Sequence, residues 1–170
     1  MVISHTYLKS GQEDILTVLC EDHKKIGAYF DEMLLAQPSD KEKIVKTAIF
    51  DIALILRLEE ELLYRLMYRE DPELIEQELE EHHVMQLLIS ELETMNLGNK
   101  NYQAKFMVLG SIAEAHFNDE ETYLFPVMED LEFNRHTWAR KLSSRRSDLT
   151  AKHTRPSELF STKKAISKAV

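Results

Sequence analysis

One cysteine, one tryptophan, four glycines and four prolines are spread over 170 residues, and each shortage excludes a class of structure. The lone Cys20 cannot close an intramolecular disulfide, so the fold is not cysteine-stapled, and the chain suits a reducing compartment, most simply the cytoplasm. So few glycines and prolines leave little material for the tight turns of an all-β sandwich or barrel. No apolar run is long enough to cross a bilayer and no secretory leader is recognisable, so no membrane partner is expected.

What the chain does have is 44% apolar and 30% charged residues, the mixture of long amphipathic helices around one core. The net charge of -9 is unevenly spread: residues 134–170 hold ten Lys/Arg against Asp148 and Glu158, which leaves -17 on residues 1–133. An acidic body repels phosphates, so no nucleic-acid partner is expected for it. The organisation expected is a helical body over 1–133 and a basic, partly helical C-terminal extension over 134–170. That extension should fold back on the acidic body, and its own partner is not legible.

Between Glu13 and Ala36, Ile15, Leu16, Leu19, Ile26, Phe30, Met33 and Leu34 recur at steps of three and four, the repeat of a helix with one buried face. Pro38 interrupts that helix, and Ser39 with Glu42 reads as a capping box for a second one reaching about Arg69. Asp71 with Pro72 opens a third, carrying Leu74, Ile75, Leu79, Met85, Leu88, Ile89 and Leu92 and expected to end near Leu97 and Gly98 with glycine as a left-handed cap. Asn99 or Asn101 caps a fourth, Tyr102 to Leu131, whose inner face reads Phe106, Leu109, Ile112, Ala113, His116, Glu120, Tyr123 and Val127. Short connections make this an all-α, up-down-up-down antiparallel four-helix bundle.

The halves also resemble each other. Glu59-Glu-Glu-Leu-Leu-Tyr-Arg-Leu-Met aligns with Glu120-Glu-Thr-Tyr-Leu-Phe-Pro-Val-Met, and His23 and His82 repeat at nearly the same interval. A duplicated helical hairpin would place a pseudo-two-fold site between the helix pairs.

Chemistry concentrates on those inner faces. His116 and Glu120 stand four apart and point the same way from one helix. His23 has Ile26 and Phe30 on its side, and His82 has Met85 and Ile89, so both point inward. His83 is the alternative to His82, because Leu79 and Leu87 flank it at four residues. Three inward imidazoles with inward Glu59 and Glu120 would each cost several kcal/mol to bury unless they share a partner. A cation removes that cost; nitrogen with carboxylate ligands favours iron or manganese over calcium, and two metals bridged by two glutamates fit the spacing best.

At these residues the sequence resembles the hemerythrin-like, His-His-Glu cation-binding domains. The matching pieces are Glu-Asp-His23-Lys-Lys-Ile, Glu59-Glu-Glu-Leu-Leu-Tyr, Glu-His82-His83 and His116-x-x-x-Glu120-Glu-Thr-Tyr-Leu-Phe-Pro126, spanning about residues 12–131. The resemblance implies a non-haem di-iron centre that binds or senses dioxygen or a related small ligand, or that acts enzymatically on peroxide or nitric oxide. It also implies the metal ligands: Glu59 and Glu120 as bridging carboxylates, His82 and His116 on one iron, His23 on the other.

One departure stands out. The resemblance calls for a histidine four residues before Glu59, where the chain has Ile55. The iron served by His23 is then under-coordinated, with Asp51, one turn earlier, as a candidate substitute. Full decay of the site would instead leave a metal-free interaction module. Cys20 reads as a small buried hydrophobe near the site and Tyr64 and Phe125 as core aromatics. Glu60, Glu61 and Glu121 either support the ligands from behind or, the favoured reading, face water, and His5, His136 and His153 read as surface residues.

Overall fold

The structure is a computed structural model that describes residues 14–160, and every regular element among them is helical. His5 and residues 161–170 of the extension lie outside the described residues. In chain order the helices are α1 (Ile15–Leu35), α2 (Pro38–Leu58), α3 (Tyr64–Met67), α4 (Pro72–Thr94), α5 (Tyr102–Asp119), α6 (Phe125–Glu129) and α7 (Arg135–Lys152). A single π turn, Glu59–Leu63, joins α2 to α3, and a second, Glu120–Leu124, joins α5 to α6, so each pair is one continuous rod. Four rods result. α1 packs on α2, α2 on α4, α4 on α5 and α5 back on α1, which closes the bundle around one core.

The helix starts follow local chemistry. Asp14 and Asp71 accept hydrogen bonds from the backbone N–H groups of Leu16 and Leu74, at 2.9 and 3.0 Å. The second helix starts earlier than the Ser39–Glu42 capping box implies, because Pro38, with its fixed φ, sits in its first turn behind Gln37. The third helix ends at Thr94, with an extended Met95 as its cap. Gly98 adopts no left-handed conformation; its N–H is held by Asn96 Oδ1 at 2.8 Å in a side-chain turn.

The two π turns decide which side chains face inward. In each, the N–H five residues on bonds to a glutamate carbonyl: Tyr64 to Glu59, and Phe125 to Glu120. One extra residue rotates the downstream face by roughly 100°. Tyr123 and Val127, inward on a strict 3.6-residue repeat, are therefore 62% and 40% exposed, and Leu124, Phe125 and Met128 are buried instead. In the first half the same shift buries Leu63, Tyr64 and Met67. Leu34 at the end of α1 is also exposed rather than buried.

α2 is apolar around most of its circumference, with Ile52, Ala53, Leu54, Ile55, Leu56 and Leu58 all buried. Such a helix needs cover on both sides. α7 supplies the outer cover by packing on α1 and α2 through Ala139, Leu142 and Leu149. Arg145 forks onto Glu61, at 2.5 and 2.9 Å, Arg146 pairs with Asp22, and Arg135 lies 3.3 Å from Asp14. Partly exposed pairs of this kind contribute only about 0.2–1 kcal/mol each, so apolar burial fixes α7 and the charges orient it. The described part of the basic extension thus folds back on the acidic body.

Candidate metal centre

α1, α4, α5 and the two π turns each present a polar side chain to the bundle interior. His23, Glu59, His82, His116 and Glu120 are all buried, and four of them, all but His23, have no or almost no exposed surface. Each imidazole meets carboxylate oxygen at its Nδ1: His23 at Glu121 (2.9 Å), His82 at Glu60 (3.2 Å), and His116 at Glu81 and Glu78 (both 3.0 Å). A carboxylate only accepts, so Nδ1 is the donor in all three rings, and a neutral ring keeps its lone pair on Nε2. All three Nε2 atoms point to the same interior space, the arrangement of metal-binding histidines oriented from behind.

Around that space the donors fall into two lobes. On one side His82 Nε2 and His116 Nε2 are 3.0 Å apart. Glu59 Oε2 lies 3.4 Å from His82 Nε2 and Glu120 Oε1 lies 3.9 Å from His116 Nε2. One ligand atom from each of these four residues falls within 4.8 Å of the others. On the other side His23 Nε2 faces the remaining oxygens, Glu59 Oε1 at 3.3 Å and Glu120 Oε2 at 3.5 Å. Each glutamate therefore offers one oxygen to each lobe.

The donor set fits a cation. Glu59 Oε2 and Glu120 Oε2 are buried without a hydrogen-bond partner, a costly condition in an apolar interior. Six carboxyl groups, from Glu59, Glu60, Glu78, Glu81, Glu120 and Glu121, surround three imidazoles. Glu78 and Glu81 also form a three-residue cluster with His116. They meet Nδ1, however, while Nε2 of the same ring faces the four-residue group, so they act as acceptors that orient the ring.

Without metal, protons carry the balance. Burial opposes the imidazolium of His23, yet its hydrogen bonds to Glu121 and Glu59 and the charge of Glu120 outweigh that and raise its pKa to about 9. His82 and His116 are raised for the same reason: burial again works against the charged ring, and the carboxylates win. Burial, followed by the charge of Glu59, pushes Glu120 up. Glu59 goes down, because the hydrogen bonds from His23 and His82 overcome burial. Two facing carboxylates cannot both ionise freely, which drives the two glutamates in opposite directions.

This all-helical frame with its buried His/Glu donors matches the hemerythrin-type cation-binding four-helix-bundle architecture. No family model, curated protein or solved structure matches the chain. The likeness rests on the helix order and on the buried His and Glu side chains themselves. The buried cluster of two histidines and two glutamates is of a kind that suits non-haem iron.

Inside the bundle Glu59, His82, His116 and Glu120 lie in one cluster and His23 faces the two glutamates from the other side, with several further side chains around them. His82 is fully buried while its neighbour His83 is only partly so. Glu60, Glu61 and Glu121 are not simply water-facing: Glu60 and Glu121 hold imidazoles, and Glu61 binds Arg57 and Arg145. Glu78 was legible one turn before His82 on the same face. Tyr64 is more than a core aromatic, since its hydroxyl donates to Glu120 Oε1 at 2.8 Å and lies 2.9 Å from His82 Nε2.

Asp51 is no substitute ligand. It accepts from Lys25 Nζ at 2.8 Å and Tyr29 Oη at 2.7 Å and belongs to neither cluster. Ile55 is buried, lining a small crevice with Ile26, Leu54 and Leu58 beneath Arg146. Cys20 is half-buried rather than enclosed, and burial with the neighbouring Glu121 pushes its thiol up to about 11. His136 and His153 are partly exposed.

Proposed function

We propose that this protein holds a non-haem di-iron centre, with Glu59 and Glu120 bridging, His82 and His116 on one side and His23 on the other, and that it binds or senses dioxygen or a related small ligand. The observation that carries the reading is the inward convergence of three Nε2 atoms on two carboxylates, each of which offers one oxygen to each side. When bound, iron supplies electrons and an open coordination position. The chain's own residues orient the imidazoles, exclude bulk water and leave the His23 side poor in donors.

A groove of about 550 Å³ between α1 and α5 supports access to that side. Its walls include His23, Gly27, Gly110, Phe117 and Glu121. Phe117 stacks on the His23 ring at 4.1 Å and gives the groove an apolar wall beside the ring, while Lys24, Asp31, Glu114 and Glu121 line the rest of it. No helix among the described residues is long and apolar enough to cross a membrane, in keeping with the cytoplasmic setting proposed from the single cysteine. We treat residues 134–170 as an extension of the 1–133 bundle, with α7 closing its α1–α2 side.

The test is to purify the protein under reducing, oxygen-free conditions, measure iron per chain and record visible absorption before and after admitting air. A binuclear complement of iron with a new band on oxygenation supports the reading. Iron at half that level confines the metal to the His82 and His116 side. No metal after iron loading leaves the bundle as an interaction module and ends the proposal.

A further inference from the structure

The pseudo-two-fold repeat makes the two lobes unequal at two positions. His116 corresponds to Ile55, and Tyr64 corresponds to Phe125, each pair 61 residues apart. Tyr64 and Phe125 are the residues whose N–H groups close the two π turns, so both are delivered to equivalent places beside the bridging glutamates. Phe125 brings a ring to 5.9 Å from that of His23 and offers no donor atom. Tyr64 brings an oxygen.

That oxygen sits among the donors themselves. Tyr64 Oη lies 2.8 Å from Glu120 Oε1, 2.9 Å from His82 Nε2 and 3.5 Å from His116 Nε2, and the side chain is fully buried. Two donors about 2.1 Å from one first-row ion and at right angles to each other lie about 3.0 Å apart. The His82–His116 separation of 3.0 Å and the two short Tyr64 distances match that edge. One phenol proton cannot serve three acceptors at once, whereas one cation can serve all four atoms.

We propose that Tyr64 is itself a ligand, its phenolate oxygen joining His82 Nε2, His116 Nε2, Glu59 Oε2 and Glu120 Oε1 as a fifth donor to one cation. The proposal rests on the metal-binding reading above. On coordination the phenol exchanges its O–H bond for a metal–oxygen bond. The released proton leaves to solvent, as do any protons that the metal displaces from the imidazoles. A hard anionic oxygen on this side favours the ferric state there. The His23 side, with one imidazole and the two shared carboxylates, is left as the weaker and more open position.

The experiment loads the full-length protein with ferrous iron, oxidises it, and records iron content, visible absorption and resonance Raman spectra for the native chain, for the native chain carrying ring-deuterated tyrosine, and for Tyr64→Phe. The expected result is a visible charge-transfer band that enhances tyrosinate ring vibrations, shifts them on deuteration, and disappears in Tyr64→Phe while iron is retained. An iron-loaded native protein without tyrosinate vibrations overturns the proposal and leaves the iron site standing, and so do vibrations that persist in Tyr64→Phe. Absence of iron from the native protein overturns the underlying metal reading instead. The deuterated native chain decides the question even if the Tyr64→Phe variant fails to fold.

Discussion

Glu60 and Glu121 stand 61 residues apart in the sequence and in the same place in the fold, each one residue past the glutamate that opens a π turn. Each meets the Nδ1 of a buried histidine on a facing helix: Glu60 that of His82 at 3.2 Å, Glu121 that of His23 at 2.9 Å. The duplication therefore extends beyond the inward donors to the groups that orient them. Glu60 is further fixed by Gln86, whose amide donates to it at 3.1 Å, while Glu121 remains at the surface. The His82 side is thus held more rigidly than the His23 side.

Removing an orienting carboxylate should weaken metal binding without abolishing it. Glu60→Gln is expected to lower affinity about 10–100-fold, measured by competition with a chelator of known strength. Loss of His116 or Glu120 as alanine should remove the metal from that side while leaving helical circular dichroism nearly unchanged. Full iron in both alanine variants would eliminate the site.

Ile55 occupies the helical position that His116 fills in the other half, four residues before a bridging glutamate. Ile55→His should supply the missing imidazole and raise metal occupancy on the His23 side, read as extra iron per chain at equal loading. The substitution also buries a polar ring where Ile55 is 2% exposed, so the metal-free variant should be less stable by about 1–3 kcal/mol. Iron binding should recover part of that loss. A variant that binds no more iron than the native chain would show that the His23 side cannot be completed from this position.

The metal-free protein should lose stability as pH rises through neutrality. His23 titrates near 9 in the folded chain, against an ordinary value of 6.5. Folding favours the protonated ring, so its contribution is fully present below about pH 6.5 and is lost as pH climbs to about 9, on the order of 3 kcal/mol. The upward shifts of His82, His116 and Glu120 act in the same direction. Urea midpoints of chelator-treated protein should fall across this window, and a rising midpoint would contradict the proton-balanced cluster.

Gly110 is held to glycine by a neighbour. A Cβ there would lie 2.5 Å from Phe30 Cδ1, and Phe30 is itself stacked on Phe106 at 4.6 Å. Gly110→Ala should cost about 1–3 kcal/mol through overpacking of α5 against α1, seen as a lower melting temperature. A neutral or stabilising effect would mean that Phe30 moves aside freely.

The sequence by itself determined the helices, most of their inward stripes and the burial of His23, Glu59, His82, His116 and Glu120, because all of these depend on spacing along a helix. It also exposed the duplication and the Ile55 gap. What it could not carry was anything set by a change of helical period or by contact between helices. Tyr123 and Val127 fell on the inner face of a 3.6-residue repeat, yet a π turn of five residues turned them outward and brought in Leu124, Phe125 and Met128. The same device delivered Tyr64 to the donors. Whether Asp51 reached the centre, which carboxylates stood behind each imidazole, and where α7 lay were decided by neighbours distant in sequence, which no local pattern records.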